Sequence, residues 1–104
     1  MKLLVGDIGG TNARFGYQKN KGGNIEQVEF LNCADFDNID QAVPHYISKN
    51  SLSVENLSLS VAGPCGNNLI KFTNNHWSFD KKDLLIKTNC KSILAINDFA
   101  AQGL

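Results

Sequence analysis

Long apolar runs are missing from this chain, and no segment approaches the ~20 residues that a membrane-spanning helix requires. The start, Met1 to Val5, has the charge of a signal peptide, but Gly6-Asp7 ends its apolar run too early. Excess charge of either sign is missing too. Ten Lys and Arg balance ten Asp and Glu, so no bulk basic field draws the chain to nucleic acid or to an anionic membrane. Cysteine is sparse: Cys33, Cys65 and Cys90 are odd in number and widely spaced. No Cys-x-x-Cys pair or His/Cys cluster points to zinc. The three read as reduced thiols, packed as small hydrophobes, in a cytoplasmic protein. Internal repeats, low-complexity tracts and linkers are absent as well. What remains is 104 residues, 42% hydrophobic and 19% charged. That composition suits one ordinary globular domain, not two and not a disordered segment.

Period-two patterning begins the chain. Lys2 to Val5 is a short apolar strand ending at Gly6. Residues 13–18 then alternate, with Ala13, Phe15 and Tyr17 on one face and Arg14, Gly16 and Gln18 on the other. The polar turn Asp7-Ile8-Gly9-Gly10-Thr11-Asn12 between them makes a β-hairpin. A second turn at Lys19 to Asn24 leads to a strand over Ile25 to Leu31, with Val28 and Phe30 expected inward. Three antiparallel strands in succession are the expectation. Ile39, Ala42, Val43, Tyr46 and Ile47 then recur at helical spacing, with Asp37 expected as N-cap. Pro44 falls inside that pattern, so either the helix is kinked there, which is the expectation, or it begins near Val43 with Pro44 in its first turn. Leu57, Leu59 and Val61 alternate with Ser58, Ser60 and Ala62 as a further strand. A turn at Gly63-Pro64-Cys65-Gly66-Asn67 follows, and Asn68 to Thr73 returns as a strand. Asp80 caps a short helix through Lys87, with Asp83 at N3. Ser92 to Ile96 is an apolar strand, and Asn97-Asp98 opens another helix.

Three clusters carry candidate chemistry. The first is Gly6 to Arg14. Its paired glycines let backbone approach an anion, Thr11 and Asn12 add hydrogen-bonding capacity, and Asp7 at a strand end could hold Mg²⁺ through water. It is neither a P-loop nor a dinucleotide fingerprint, because a strand follows and not a helix. A hairpin turn that needs glycine for its dihedrals alone accounts for the same residues. The second cluster is Ile96-Asn97-Asp98-Phe99, where a carboxylate can take a proton from a substrate hydroxyl that Asn97 orients. Ordinary helix capping is its plainer account. The third is Thr73-Asn74-Asn75-His76-Trp77, whose amides and indole suit a hydroxylated ring. Equally, it reads as a surface turn anchored by a core Trp. His45 and His76 show no ligand spacing and read as ordinary histidines.

Taken in order, these clusters resemble the N-terminal part of bacterial ATP-dependent glucokinases, of the sugar-kinase/actin/heat-shock ATPase superfamily. The match rests on Gly6-Asp7-Ile8-Gly9-Gly10-Thr11-Asn12-Ala13-Arg14, on Thr73, Asn74 and Trp77, and on Ile96 to Phe99. Ser60-Val61-Ala62-Gly63-Pro64 looks like the family's segment at the domain interface. The resemblance implies an α/β, ribonuclease H-like (actin-like ATPase) domain with a mixed five- to six-stranded sheet and flanking helices. It further implies that Gly6, Asp7, Ile8, Gly9, Gly10, Thr11 and Asn12 form a loop for the phosphates of ATP, with Asp7 near Mg²⁺ through water. Asp98 is then the general base toward the 6-hydroxyl of glucose, and Asn97 and Asn74 lie on the sugar.

The family's remaining sugar ligands, second phosphate loop and adenosine site have no counterpart here. Residues 1–104 are therefore expected to be the small N-terminal domain, with the larger C-terminal domain absent and no activity alone. Glucose and ATP are the expected partners, with no nucleic acid and no membrane, and the resemblance allows a homodimer in the full-length enzyme. Kinases of other hexoses share the Asp-φ-Gly-Gly-Thr opening. A sugar-sensing repressor would carry a helix-turn-helix before the first strand; with a strand opening at Lys2, that is the less expected reading. A freestanding interaction module without activity would also retain these residues.

Overall fold

A computed structural model describes residues 2–20, 22–61, 68–72 and 76–97 of the chain. Strands β1 (Leu3–Ile8) and β2 (Asn12–Gln18) form the expected antiparallel hairpin, and β3 (Glu26–Asn32) pairs antiparallel with β2. Their alternation works as the pattern requires: Leu4, Ile8, Ala13, Phe15 and Tyr17 are buried, whereas Asp7 and Arg14 face outward. β1 runs on to Ile8, past the expected end at Gly6. Strand β4 (Asn56–Val61) holds it there, pairing parallel to β1 along its whole length from Leu3↔Asn56 to Ile8↔Val61. Short strands β5 (Leu69–Lys71) and β6 (Ser78–Asp80) make a separate antiparallel hairpin, and β7 (Ser92–Asn97) returns parallel to β4. The main sheet is mixed and five-stranded, in the order β3-β2-β1-β4-β7. Strand β6 is three residues long. That is too short for alternation to announce it.

Two expectations about local structure need correction. The sequence pattern turns Val28 and Phe30 inward, yet they are 54% and 67% exposed. The cause is a bulge. Phe15 pairs with Glu29 but Tyr17 with Glu26, so one extra residue enters β3, where Gln27 takes a positive φ of 53°. An unbroken alternation from Glu26 would have buried Val28 and Phe30; the extra residue reverses it and buries Leu31. Tyr46 secures the bulge by donating its hydroxyl to the Gln27 carbonyl at 2.8 Å. Burial of that phenol beside the Glu29 charge pushes its pKa up to about 12. Glu29 accepts from Lys49 at 2.8 Å, and this bond chiefly holds its carboxyl below the usual range.

The second correction concerns α1 (Ile39–Lys49). Its N-cap is Asn38, not Asp37: the Asn38 backbone is extended and its Oδ1 accepts from the Ile39 amide at 2.9 Å. The Asp37 amide instead donates to Gln41 Oε1 at 3.1 Å. Pro44 lies inside this helix, which runs uninterrupted to Lys49. Interior proline costs ~3 kcal/mol, and burying Ile39, Ala42, Val43 and Tyr46 on one face returns more, at roughly 1.5–3 kcal/mol per large side chain. Helix α2 (Lys81–Thr88) starts as expected, with Asp80 Oδ1 accepting from the Asp83 amide at 3.1 Å.

The core lies between one face of the sheet and α1, α2 and the β5–β6 hairpin, and Trp77, Tyr46 and Phe15 are its largest fully buried side chains. Gly6 sits in it at a close approach. A Cβ there would lie 2.8 Å from Leu59 Cδ2 and 3.0 Å from Phe15 Cε1, and both those residues are fully buried. Gly6→Ala is therefore expected to destabilise the chain by ~1–3 kcal/mol through overpacking, read as a lower urea midpoint. An unchanged midpoint would mean that Leu59 and Phe15 can retreat.

Candidate active site at the carboxyl edge of the sheet

Register places the candidate chemistry on one edge. Ile8 pairs with Val61, and Val61 with Asn97, so the carboxyl ends of parallel β1, β4 and β7 line up side by side. Open α/β sheets hold their ligands outside the carboxyl ends of such strands. Here that edge carries the glycine turn after β1, Val61 at the end of β4, and Asn97 at the end of β7. Asp98, Asn74, the turn at 63–67 and the helix expected from Asn97 lie outside the described residues.

The turn is tighter than Asp7 to Asn12. The Gly9 amide donates to the Asn12 carbonyl at 2.9 Å, and a Cβ on Gly9 would meet that same oxygen at 3.0 Å. Glycine is needed there for close approach, not for a left-handed φ; Gly22, in the next turn, has the positive φ. Cys33, at the start of a 3₁₀ turn over Cys33–Asp35, braces the loop from behind. Its amide donates to the Thr11 carbonyl at 2.8 Å, and its thiol faces the Gly9 carbonyl at 3.8 Å. Burial pushes the Cys33 pKa up, so the sulfur stays a protonated donor. Gly6 and Ile8 are buried beneath the turn, while Asp7, Gly10, Thr11 and Asn12 are exposed. With the Gly9 amide used internally, the surface open to an anion is the stretch from Gly10 to Asn12.

Arg14 is the residue the motif contained without a role. Asp7 and Arg14 are cross-strand partners, and their side chains approach to 3.7 Å on the face of the sheet away from α1. Both are about half exposed, so the pair adds little stability, roughly 0–1 kcal/mol. Hairpin register, counted outward from the glycine turn, is the signal that could have found it. The pair borders a cavity of about 530 Å³ with Val5, Ser58 and Ser60, and a second of about 180 Å³ with Gly9 and Asn12. A carboxylate, a guanidinium and two hydroxyls thus converge next to the turn. Among the described residues no group of three or more His, Cys, Asp or Glu is placed to hold a metal.

Trp77 lies just before β6. Trp77 is 1% exposed and its Nε1 donates to the Phe36 carbonyl at 3.2 Å. The core-anchor account of Trp77 therefore holds, and the indole is not an open platform for a sugar ring. Cys33 is buried and Cys90 half-buried, both free thiols.

The sequence model of the family described as Glucokinase matches residues 4–104. The chain belongs to the glucokinase family. The glucokinase of Helicobacter pylori strain J99 is 44% identical over 104 residues, which is 96% of this chain and 31% of that protein. That of Hahella chejuensis is 38% identical over 102 residues, covering 97% of this chain and 32% of that protein. The crystal structure of a glucokinase from an Antarctic psychrotroph matches with a TM-score of 0.84 at 34% identity, over 96% of this chain and 33% of that one. A ROK family glucokinase from Streptomyces griseus, solved in complex with glucose and AMPPNP, matches at TM-score 0.67 and 16% identity. It covers 99% of this chain and 35% of that one, and at such low identity it speaks for the fold alone. The mixed five-stranded sheet with two helices is thus the actin-like ATPase fold of sugar kinases. The chain spans about a third of the length of the curated relatives it matches.

Proposed function

We propose that this chain is the N-terminal small domain of an ATP-dependent glucokinase, a cytoplasmic enzyme that transfers the γ-phosphate of ATP to the 6-hydroxyl of glucose. The observation that carries the reading is the alignment of the glycine turn and Asn97 on one carboxyl edge of the sheet. Membership of the glucokinase family supports it.

In this reading the turn from Gly6 to Asn12 receives the β- and γ-phosphates. The exposed Gly10, Thr11 and Asn12 face them, and the buried Gly6 and Ile8 pack beneath. Asp7 suits Mg²⁺, because one exposed carboxylate beside the glycine turn matches an ion that keeps most of its waters and leans on substrate phosphates. When bound, Mg²⁺ supplies charge neutralisation on those phosphates. Asn97 orients the sugar hydroxyl and Asn74 lies toward the same ring. Asp98, next in the chain, takes the proton of the 6-hydroxyl as the phosphoryl group arrives. Phosphoryl transfer passes through a loose transition state, so positioning and charge neutralisation supply most of the rate. The adenosine site and the remaining sugar contacts belong to the rest of the full-length protein.

The test is formation of glucose 6-phosphate from glucose and MgATP by the full-length protein, beside the present chain alone. Turnover is expected only in the full-length protein, with MgATP bound weakly or not at all by this chain. Ordinary kinase affinity for MgATP in this chain would overturn the split-site reading. Strong preference for mannose, fructose or an N-acetylated hexose would reassign the sugar.

A further inference from the structure

We propose that Asn32 is a positioning residue for the phosphates of ATP: it holds the corner after β3 that draws carbonyl oxygens of the glycine turn away from the anion. The inference rests on the functional reading above, in which that turn receives the β- and γ-phosphates.

Backbone N–H groups attract an anion and carbonyl oxygens repel it, so a phosphate turn must keep its carbonyls aimed elsewhere. Three in this turn face donors within the domain. The Asn12 carbonyl accepts from the Gly9 amide at 2.9 Å, and the Thr11 carbonyl accepts from the Cys33 amide at 2.8 Å. The Gly9 carbonyl faces the Cys33 thiol at 3.8 Å. Two of the three donors therefore belong to Cys33, which is 2% exposed. Where Cys33 stands decides how the turn presents Gly10, Thr11 and Asn12.

Asn32 sets that place. Its backbone ends β3 opposite Asn12, where the β2–β3 ladder meets the turn. Its Oδ1 accepts from the Ala34 amide at 3.0 Å, which bends the chain into the 3₁₀ turn that Cys33 begins. This is an Asx turn, in which a side chain imitates a backbone bond two residues on. The other end of the corner is held without Asn32. The Phe36 amide donates to the Cys33 carbonyl at 3.3 Å, and the Phe36 carbonyl accepts from the buried Trp77 indole at 3.2 Å. With that end anchored in the core, slack introduced at Asn32 falls on the glycine turn. Asn32 is itself exposed and fills no part of the core, so its loss is expected to cost orientation more than folding.

The experiment measures binding of MgATP and of AMP by calorimetry, without sugar, to the full-length protein and its Asn32→Ala and Asn32→Ser variants. AMP has no β- or γ-phosphate to reach the turn, so it reports on the remainder of the nucleotide site. Asn32→Ala is expected to weaken MgATP binding about fivefold, the usual worth of a capping side chain, and to leave AMP unchanged. The serine hydroxyl can accept from the Ala34 amide in the same way, so Asn32→Ser is expected to recover most of the loss. Unchanged MgATP affinity in Asn32→Ala, an equal loss for AMP, or no recovery in Asn32→Ser would each overturn the proposal. A wild type that binds no MgATP overturns the functional reading, and this inference with it.

Discussion

Asp98→Asn in the full-length enzyme is expected to lower kcat by about 10²–10⁴-fold, the usual contribution of a positioned general base. The amide has nearly the carboxylate's shape but cannot accept the proton of the 6-hydroxyl. The KM values for glucose and MgATP are expected to change little, because a base that acts late in transfer contributes to the transition state and not to ground-state binding. Asn97 ends β7 opposite Val61, which fixes the backbone one residue before the carboxylate. Folding is expected to be unaffected, read as an unchanged far-UV spectrum and melting temperature. Near-normal turnover would remove Asp98 from the role. A parallel loss of stability would return it to helix capping.

Trp77→Ala is expected to have the largest effect on stability, about 3–5 kcal/mol, the usual range for deleting a fully buried large aromatic. Three losses combine. The indole is 1% exposed, it stands edge-on to Phe72 at 6.3 Å, and its N–H donates to Phe36 at 3.2 Å. Domains are stable by only about 5–15 kcal/mol, so a large share of the total is at stake. Urea unfolding of this chain, followed by far-UV circular dichroism, measures the change. Trp77→Phe is expected to lose less, because one ring still fills part of the space. A change below about 0.5 kcal/mol in Trp77→Ala, the scale of a typical surface substitution, would show that the hairpin is not part of the folding unit.

These predictions draw on different levels of the molecule. Asp98 was legible as a motif residue: a carboxylate after an apolar strand, in company with Gly6 to Arg14, is a pattern of residue types and spacing. Trp77 was legible as a core anchor from its isolation in a polar segment. The partner that anchors it, the Phe36 carbonyl, was not, because a backbone oxygen forty-one positions away leaves no trace in composition or period.

By itself the sequence announced the β1–β2 hairpin, the apolar face of α1 and the cap of α2, each through a pattern of residue types within one short stretch of chain. It also offered the glycine turn and the Asn97-Asp98 pair as candidate chemistry, since both motifs rest on residue identity at short spacing. Only the tertiary structure decided which face of β3 is buried. One extra residue at Gln27, held by the Tyr46 hydroxyl, exchanges Val28 and Phe30 for Leu31, and a period-two pattern cannot register such an insertion. Tertiary structure likewise chose Asn38 over Asp37 as the cap, because the Asn38 oxygen also serves the Ser78 amide of a distant strand. It set Arg14 against Asp7 and lined up the ends of β1, β4 and β7. Strand order and register belong to pairings between remote segments, and those form only when the whole sheet assembles.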